Sequence, residues 1–318
     1  MNFSTLTLLS IFLTTAELTT ASADPKSPTK LFQKSPYHRE LFKGDSHQHH
    51  AHQRRDGSCS FPSDAGIVKL PSNNGWAMDN KCEDGKWCQY ACPPGQLMAQ
   101  WNPEVTTYSY PGSQDGGVYC NEGELELKVK DHDGYCYDGT GTAKVNNKAS
   151  SNVAFCQTVL PGNEAMLIPT NIDGGSTETL AVPGTDYWAK TAAHYYVNPP
   201  GVSAEEGCVW GSTSNPYGNW SPYVAGFNQD DSGSTFGKIG WNPIYFEDSS
   251  PFKDKNPSFG LRLKCEDEGS CNGDECEINP KKVGLNKCSA QNLKSDGAAW
   301  CSITATGNSK VIVEVFDV

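Results

Sequence analysis

The sequence predicts a mainly β fold, a disulfide-stapled β-sandwich with few short helices. Three observations point there. All 13 cysteines of the 318-residue chain fall between Cys59 and Cys301. Apolar and polar side chains alternate with period two in several segments, the pattern of a half-buried strand. No amphipathic run exceeds two helical turns; residues 188–197 are the best short helical candidate.

Residues 1–23 carry an apolar run at 6–12 and end Ala21-Ser22-Ala23. That is a secretory signal with a small-x-small cleavage site, too short to span a bilayer. Residues 24–56 hold seven Lys and Arg, four Asp and Glu, and five of the seven histidines (His38, His47, His49, His50, His52). Without apolar periodicity they read as a disordered pro-segment or linker. A histidine tract can bind metal, but a solvated tail is the plainer reading. The pair Arg54-Arg55 closes the segment as a dibasic site, with processing expected after Arg55. Residues 57–318 are long enough for one domain with a sizeable core.

With an export signal ahead of them, the cysteines read as an extracellular disulfide framework. They are Cys59, Cys82, Cys88, Cys92, Cys120, Cys136, Cys156, Cys208, Cys265, Cys271, Cys276, Cys288 and Cys301. The number is odd, so one stays unpaired within the chain; spacing does not reveal the pairing. There is no Cys-x-x-Cys pair, and the body holds only His132 and His194, so no metal site is expected. No cofactor motif is present either. The body carries 18 Lys and Arg against 32 Asp and Glu. Such a field repels nucleic acid and anionic membranes but not a neutral polysaccharide. Solubility alone also accounts for it.

Residues 122–130 alternate, with Glu122, Glu124, Glu126, Lys128 and Lys130 on one face and Leu125, Leu127 and Val129 on the other. Residues 259–265 alternate likewise, with Phe259, Leu261 and Leu263 inward. Residues 302–306 and 310–316, around Gly307-Asn308, read as a hairpin whose second strand is apolar enough for the middle of a sandwich. Residues 207–246 mix Trp210, Trp220 and Trp241 with Gly, Asn, Ser and Pro. This composition opposes a helix and suits short strands with tight turns. The indoles are either core or a stacking surface for sugar.

Flat rings beside carboxylates are the equipment of glycoside chemistry, which uses one protonated carboxyl and one anion. The catalytic candidates are Asp115 on a Gly-rich turn, Glu124 and Glu126 on one strand face, and Asp230 and Asp231 on a hairpin turn. Against each stands a structural reading: a solvated strand face, or a turn that favours Asp. Asp186, Glu205, Glu206, Glu247 and Asp248 lie near aromatic blocks and carry the same doubt between roles. The candidate substrate-binding rings are Trp188, Tyr195, Trp210 and Trp220. Asn219-Trp220-Ser221 is a glycosylation sequon. His194 is either a proton shuttle or a structural histidine. No Gly-x-Ser-x-Gly elbow occurs.

Several blocks in one order resemble the fungal SUN family: Cys82-x5-Cys88-x3-Cys92 within residues 76–103, GGVYCN at 116–121, residues 187–211, GNWSPYVAGFN at 218–228 and GWNPIYF at 240–246. The likeness runs from about Cys59 to Phe316. It departs in the 27 residues between Cys92 and Cys120, and in the lack of a long Ser/Thr-rich region before the domain. The resemblance implies a secreted, extracellular or wall-resident glycosidase acting on cell-wall β-glucan. Its work would be β-1,3-glucan hydrolysis or remodelling in septation and cell separation, by two carboxylates in a monomer. It transfers no catalytic residue. A non-catalytic β-glucan-binding wall protein fits the same rings and acids, and a disulfide-rich effector is a third reading. A second resemblance, of Cys265-x5-Cys271-x4-Cys276 and the strand end GWNPIY, is to thaumatin-like β-sandwiches and concerns architecture alone.

Overall fold

A computed structural model describes residues 57–318 apart from 72, 79, 108–114, 159–166, 268 and 308. The expected signal, pro-segment, histidine tract and Arg54-Arg55 site lie outside the described residues. Residues 57–138 hold β1 (Trp87–Cys88), β2 (Gln96–Met98), β3 (Val118–Asn121), β4 (Glu124–Glu126) and β5 (Cys136–Asp138). These pair as two small antiparallel sheets, β1-β3-β4 and β2-β5. Next come β6 (Ala143–Asn147), β7 (Val153–Thr158), β8 (Leu167–Ile172), β9 (Thr177–Leu180), β10 (Ala193–Val197), β11 (Tyr223–Gln229) and β12 (Thr235–Trp241). The chain continues with β13 (Phe259–Cys265), β14 (Cys271–Asn272), β15 (Cys276–Ile278), β16 (Leu293–Ser295), β17 (Ala298–Ala305) and β18 (Val311–Asp317).

The larger sheet runs β14-β17-β12-β11-β10-β7-β8, with β16 beside β17; the smaller runs β15-β13-β18-β6-β9. Alternation decides what meets between them. Phe155, Tyr195, Phe227, Ile239 and Trp241 from one sheet pack on Val145, Phe259, Leu261, Leu263, Val313 and Val315 from the other. Each such side chain contributes roughly 1.5–3 kcal/mol of transfer free energy. A second core, around Trp76, Met78, Tyr90, Trp101 and Val118, fills residues 57–138 and takes in Ile168, Ala181 and Tyr187 from the sandwich. A single turn, α1 (Ala204–Gly207), is capped by Ser203 Oγ, which accepts from the Glu206 amide at 3.2 Å. The Cys156–Cys208 bridge ties it to the outer face of the larger sheet.

Twelve cysteines pair as Cys59–Cys120, Cys82–Cys88, Cys92–Cys136, Cys156–Cys208, Cys265–Cys271 and Cys276–Cys301. Cys288 is the free thiol; it is buried, and burial pushes its pKa up to about 12. The reactive thiolate is therefore scarce at neutral pH. Native protein treated with an alkylating agent at pH 8 should stay unlabelled, and denatured protein should take up one label. Rapid native labelling would show Cys288 to be accessible.

Three local expectations give way. The 302–316 pair is no hairpin: β17 lies in the larger sheet and β18 in the smaller, so the chain crosses between layers. Inward alternation is the same for two strands side by side or face to face. Residues 122–130 form a strand only at 124–126, because Glu122 (φ 50°) and Gly123 (φ 86°) make the two-residue turn from β3 to β4. Residues 188–197 are not a helix. Ala189 and Lys190 have positive φ, and the β-forming Tyr195, Tyr196 and Val197 continue as β10. The middle position of VIVEVF is as expected, since β18 lies between β13 and β6.

The outer face of the smaller sheet carries a row of ions. Glu314 on β18 is 1% exposed. It meets Lys148 Nζ at 2.6 Å, Lys264 Nζ at 2.8 Å and Arg262 at 3.2 Å. Arg262 also reaches Glu277 at 2.9 Å.

Candidate functional site

The seam between residues 57–138 and the sandwich is built of rings. Trp101 stacks on Trp188, centroids 4.7 Å apart and planes 8° apart, and meets Tyr187 edge-on at 5.6 Å. Trp101 Nε1 donates to Met98 O at 3.0 Å, and Trp188 Nε1 to Val105 O at 2.6 Å. The two indoles therefore act as glue across the seam. Behind them lies a cleft lined by Tyr90, Gln96, Met98, Gln157, Thr158 and Tyr187. Its volume, about 20 Å³, admits a water molecule and not a hexose ring. Among the described residues the Thr158 hydroxyl, buried in this lining, has no hydrogen-bond partner.

Next to the cleft, three segments run side by side. Thr140 N donates to Val182 O at 3.0 Å, and Gln229 N to Pro183 O at 3.0 Å. The Thr185 hydroxyl donates to Asp231, and Gln96 Nε2 to Asp138 Oδ1 at 3.0 Å. His132 stacks on Tyr137 with centroids 3.7 Å apart. Burial, and then the charge of Asp186, raise the Tyr137 phenol above its ordinary range. On this rim Asp186 thus lies within electrostatic reach of the stacked ring pair, with Asp231 held by the neighbouring Thr185, while Asp138, next to Tyr137 on β5, points to the other face of that strand. Such a rim offers hydroxyl acceptors and a flat apolar face together.

The remaining expected residues are dispersed. Tyr195, 1% exposed, is core, its hydroxyl donating to Ala181 O at 3.1 Å. Trp220, 6% exposed, is also core, so neither ring can stack on sugar. Trp188 is half-buried in the seam, whereas Trp210 is exposed on the loop after Cys208. Asp115 sits half-buried beside the Trp101–Gly116 bridge. Asp230 is a turn residue: Oδ1 accepts from the Ser232 hydroxyl at 2.6 Å and from the amides of Ser232 and Ser234, each at 2.9 Å. Burial works against its charge, yet these hydrogen bonds hold its pKa below the ordinary value. Hydrogen bonds from Lys128 and Asn121 likewise lower Glu126, so neither carboxyl is a proton donor near neutrality. Glu247 is the one described carboxyl raised, by burial against a Ser249 hydrogen bond. Its neighbour Asp248 is fully exposed and 3.4 Å from Lys253.

Asn219, the sequon residue, is buried, its Oδ1 accepting from Gly211 N at 2.8 Å. His194 lies on the outer face of the larger sheet, across Gly226 from Lys238. Burial, and then the Lys238 charge, push its pKa down to about 4. It is a neutral residue of the sheet's outer face.

Sequence reasoning passed over Trp87 and Tyr119. Both precede buried half-cystines, Cys88 and Cys120. On a strand, the residue before an inward cystine must point outward, and both rings are half-exposed on the outer face of β1-β3-β4. Glu126 completes the row, opposite Tyr119, and Glu124 is exposed opposite Asn121.

A disulfide-stapled β-sandwich with an acidic, ring-bearing seam is the class of protein defined so far. Residues 54–303 match the family described as Beta-glucosidase (SUN family), and the chain belongs to it. An uncharacterized protein of Saccharomyces cerevisiae is 54% identical over 289 residues, covering 88% of this chain and 81% of its own. The "Probable secreted beta-glucosidase adg3" of Schizosaccharomyces pombe is 48% identical over 258 residues, 79% of this chain; the match spans 23% of that longer protein. Among solved structures, the thaumatin-like xylanase inhibitor TLXI aligns with a TM-score of 0.32 at 9% identity, over 55% of this chain and 98% of that one. The sandwich stands on its own strand order. Among the described residues, no helix is long and apolar enough to cross a membrane.

Proposed function

We propose that the chain is a secreted glycosidase of the fungal wall, acting on β-glucan during septation and cell separation. The observation that supports this reading is the rim, where Asp186 lies within electrostatic reach of the His132–Tyr137 stack and Thr185 holds Asp231, in a SUN-family chain. An open rim suits a polymer better than the small cleft suits a terminal sugar. Asp231 and Asp186 are the rim carboxylates put to the test, and Trp210 is an outlying exposed ring. The six disulfides and the wording of the adg3 name support export.

The experiment follows reducing ends released from a soluble β-1,3-glucan over a pH series. Wild type should show a bell-shaped profile. Asp186→Asn and Asp231→Asn should each lower turnover on the order of 10²-fold, the scale of general acid–base catalysis. Full activity in both variants would remove the rim from the chemistry. A non-catalytic glucan-binding protein is the second reading. It is favoured by the 20 Å³ cleft and by the position of Glu247, whose raised carboxyl has only the solvent-exposed Asp248 beside it in sequence. Absence of any product from wild type would select it.

A further inference from the structure

The three-stranded sheet β1-β3-β4 presents a second surface, on the opposite side of its strands from the buried half-cystines. Cys88 and Cys120 point inward and are fully buried, bonded to Cys82 and Cys59. The sheet is therefore a rigid support whose outward row is Trp87, Tyr119 and Glu126, one residue from each strand in register. The two rings have centroids 5.2 Å apart and planes tilted by 53°. Asn121 Nδ2 donates to Glu126 Oε1 at 2.6 Å, and Lys128 pairs with the other Glu126 oxygen. The Lys128 ammonium also lies 4.9 Å from the Tyr119 centroid.

We propose that this face is a glucan-binding platform, on which consecutive sugar units of a β-linked chain stack on Trp87 and Tyr119. Asn121, Glu126 and Lys128 border the rings and take the hydroxyls. Glu126 and Lys128 neutralise each other and leave Glu124 as the row's further charge, which disfavours an anionic ligand and is compatible with a neutral one. Lys128 shields Tyr119, which makes Trp87 the first anchor; the second sugar engages as the ammonium turns aside. The tilt selects the chain shape. Flat β-1,4-linked ribbons keep successive sugar faces parallel, whereas a coiled β-1,3-linked chain turns each face relative to the last, as the two rings do. Rigid aromatic anchors on a stapled sheet keep the ordering cost of binding low. The glucan identity rests on the reading proposed above, but the platform is distinct from the acidic rim and separable from it by experiment.

Binding is measured with the full secreted protein by depletion onto insoluble β-1,3-glucan, with cellulose and chitin alongside. Wild type should bind the β-1,3-glucan and bind cellulose more weakly. Trp87→Ala should weaken binding at least about tenfold, roughly 1.4 kcal/mol, and Trp87→Tyr should restore most of it. Unfolding midpoints check that each variant is folded, and Tyr119→Ala gives a second, independent reading of the same face. Turnover of a short soluble oligosaccharide should be unchanged in Trp87→Ala, while Asp186→Asn and Asp231→Asn should bind insoluble glucan as wild type does. Equal binding by wild type and both platform variants overturns the proposal, as does wild type that binds no polysaccharide. A dimer that Trp87→Ala dissolves would also overturn it, by making the face a contact between copies. Platform-dependent binding without turnover would instead overturn the catalytic reading and leave the platform standing.

Discussion

Glu314→Ala should lower the free energy of unfolding by about 3 kcal/mol, the low end of the ~3–5 kcal/mol cost of breaking a buried ion pair. The carboxylate is almost wholly buried, and three cations converge on it. Removing it leaves Lys148, Lys264 and Arg262 around an apolar void. All three are partly exposed and can turn toward water, which sets the low end. The melting temperature should fall by roughly 6–12 °C at ~2–4 °C per kcal/mol for a domain of this size. A fall under 2 °C would show that the row contributes little. Burial alone would raise the pKa of Glu314, but Lys148 and Lys264 hold it below the ordinary 4.5. Glu277, with Arg262, shifts the same way. The unfolded chain therefore takes up protons first as pH drops below about 4.5. The stability from these two carboxylates is complete above that pH and is lost as pH falls through their lower folded values. His194 adds loss of the same sign between its ordinary 6.5 and about 4. The alanine variant should show a shallower decline on the acid side.

Gly117→Ala should be among the most damaging small changes. Gly117 has φ 109°, and a Cβ there would lie 2.1 Å from the Cys88 carbonyl oxygen. Overpacking costs ~1–3 kcal/mol and left-handed backbone ~1–2 kcal/mol, so the sum is roughly 2–5 kcal/mol. The clash is with backbone, so β3 must move away from β1, shifting Tyr119 and Cys120 together. Lower secreted yield, a reduced unfolding midpoint and free Cys59 by mass spectrometry are expected. Gly66→Ala is the control: φ is 71° there, but nothing lies within 4 Å, so only the backbone cost of ~1–2 kcal/mol applies. Equal effects at both glycines would rule out the steric argument.

Much of the fold was legible because period-two patterning is local. Phe259, Leu261 and Leu263 face inward as their alternation requires, and the Asp-Asp-Ser-Gly turn joins β11 to β12. Alternation does not say which sheet a strand joins, and β17 and β18 were misplaced for that reason. Disulfide pairing is a property of distance in space, so it was not legible. The site was legible in kind and not in members. Tyr195 and Trp220 have the composition of a sugar-facing surface, but Tyr195 has the parity of a core residue on β10 and Trp220 is buried at the end of a short 3-10 turn. Asp230 followed its turn chemistry. Thr185 and Gln96, which hold Asp231 and Asp138, have no signature in sequence because their partners lie 46 and 42 residues away. Trp87 and Tyr119 were accessible to reasoning, through the cystines that follow each of them.

The strand β18 runs parallel to β6, with Val311 opposite Ala143 and Val315 opposite Asn147. The smaller sheet is thus left as two unjoined flaps until residues past 311 are available. A partly synthesised chain would leave β13 and β6 each with an unpaired edge, and the larger sheet without Val313 and Val315 to pack on. The smaller sheet therefore closes only once the chain is complete, and premature stop codons near position 311 should yield degraded rather than shortened protein.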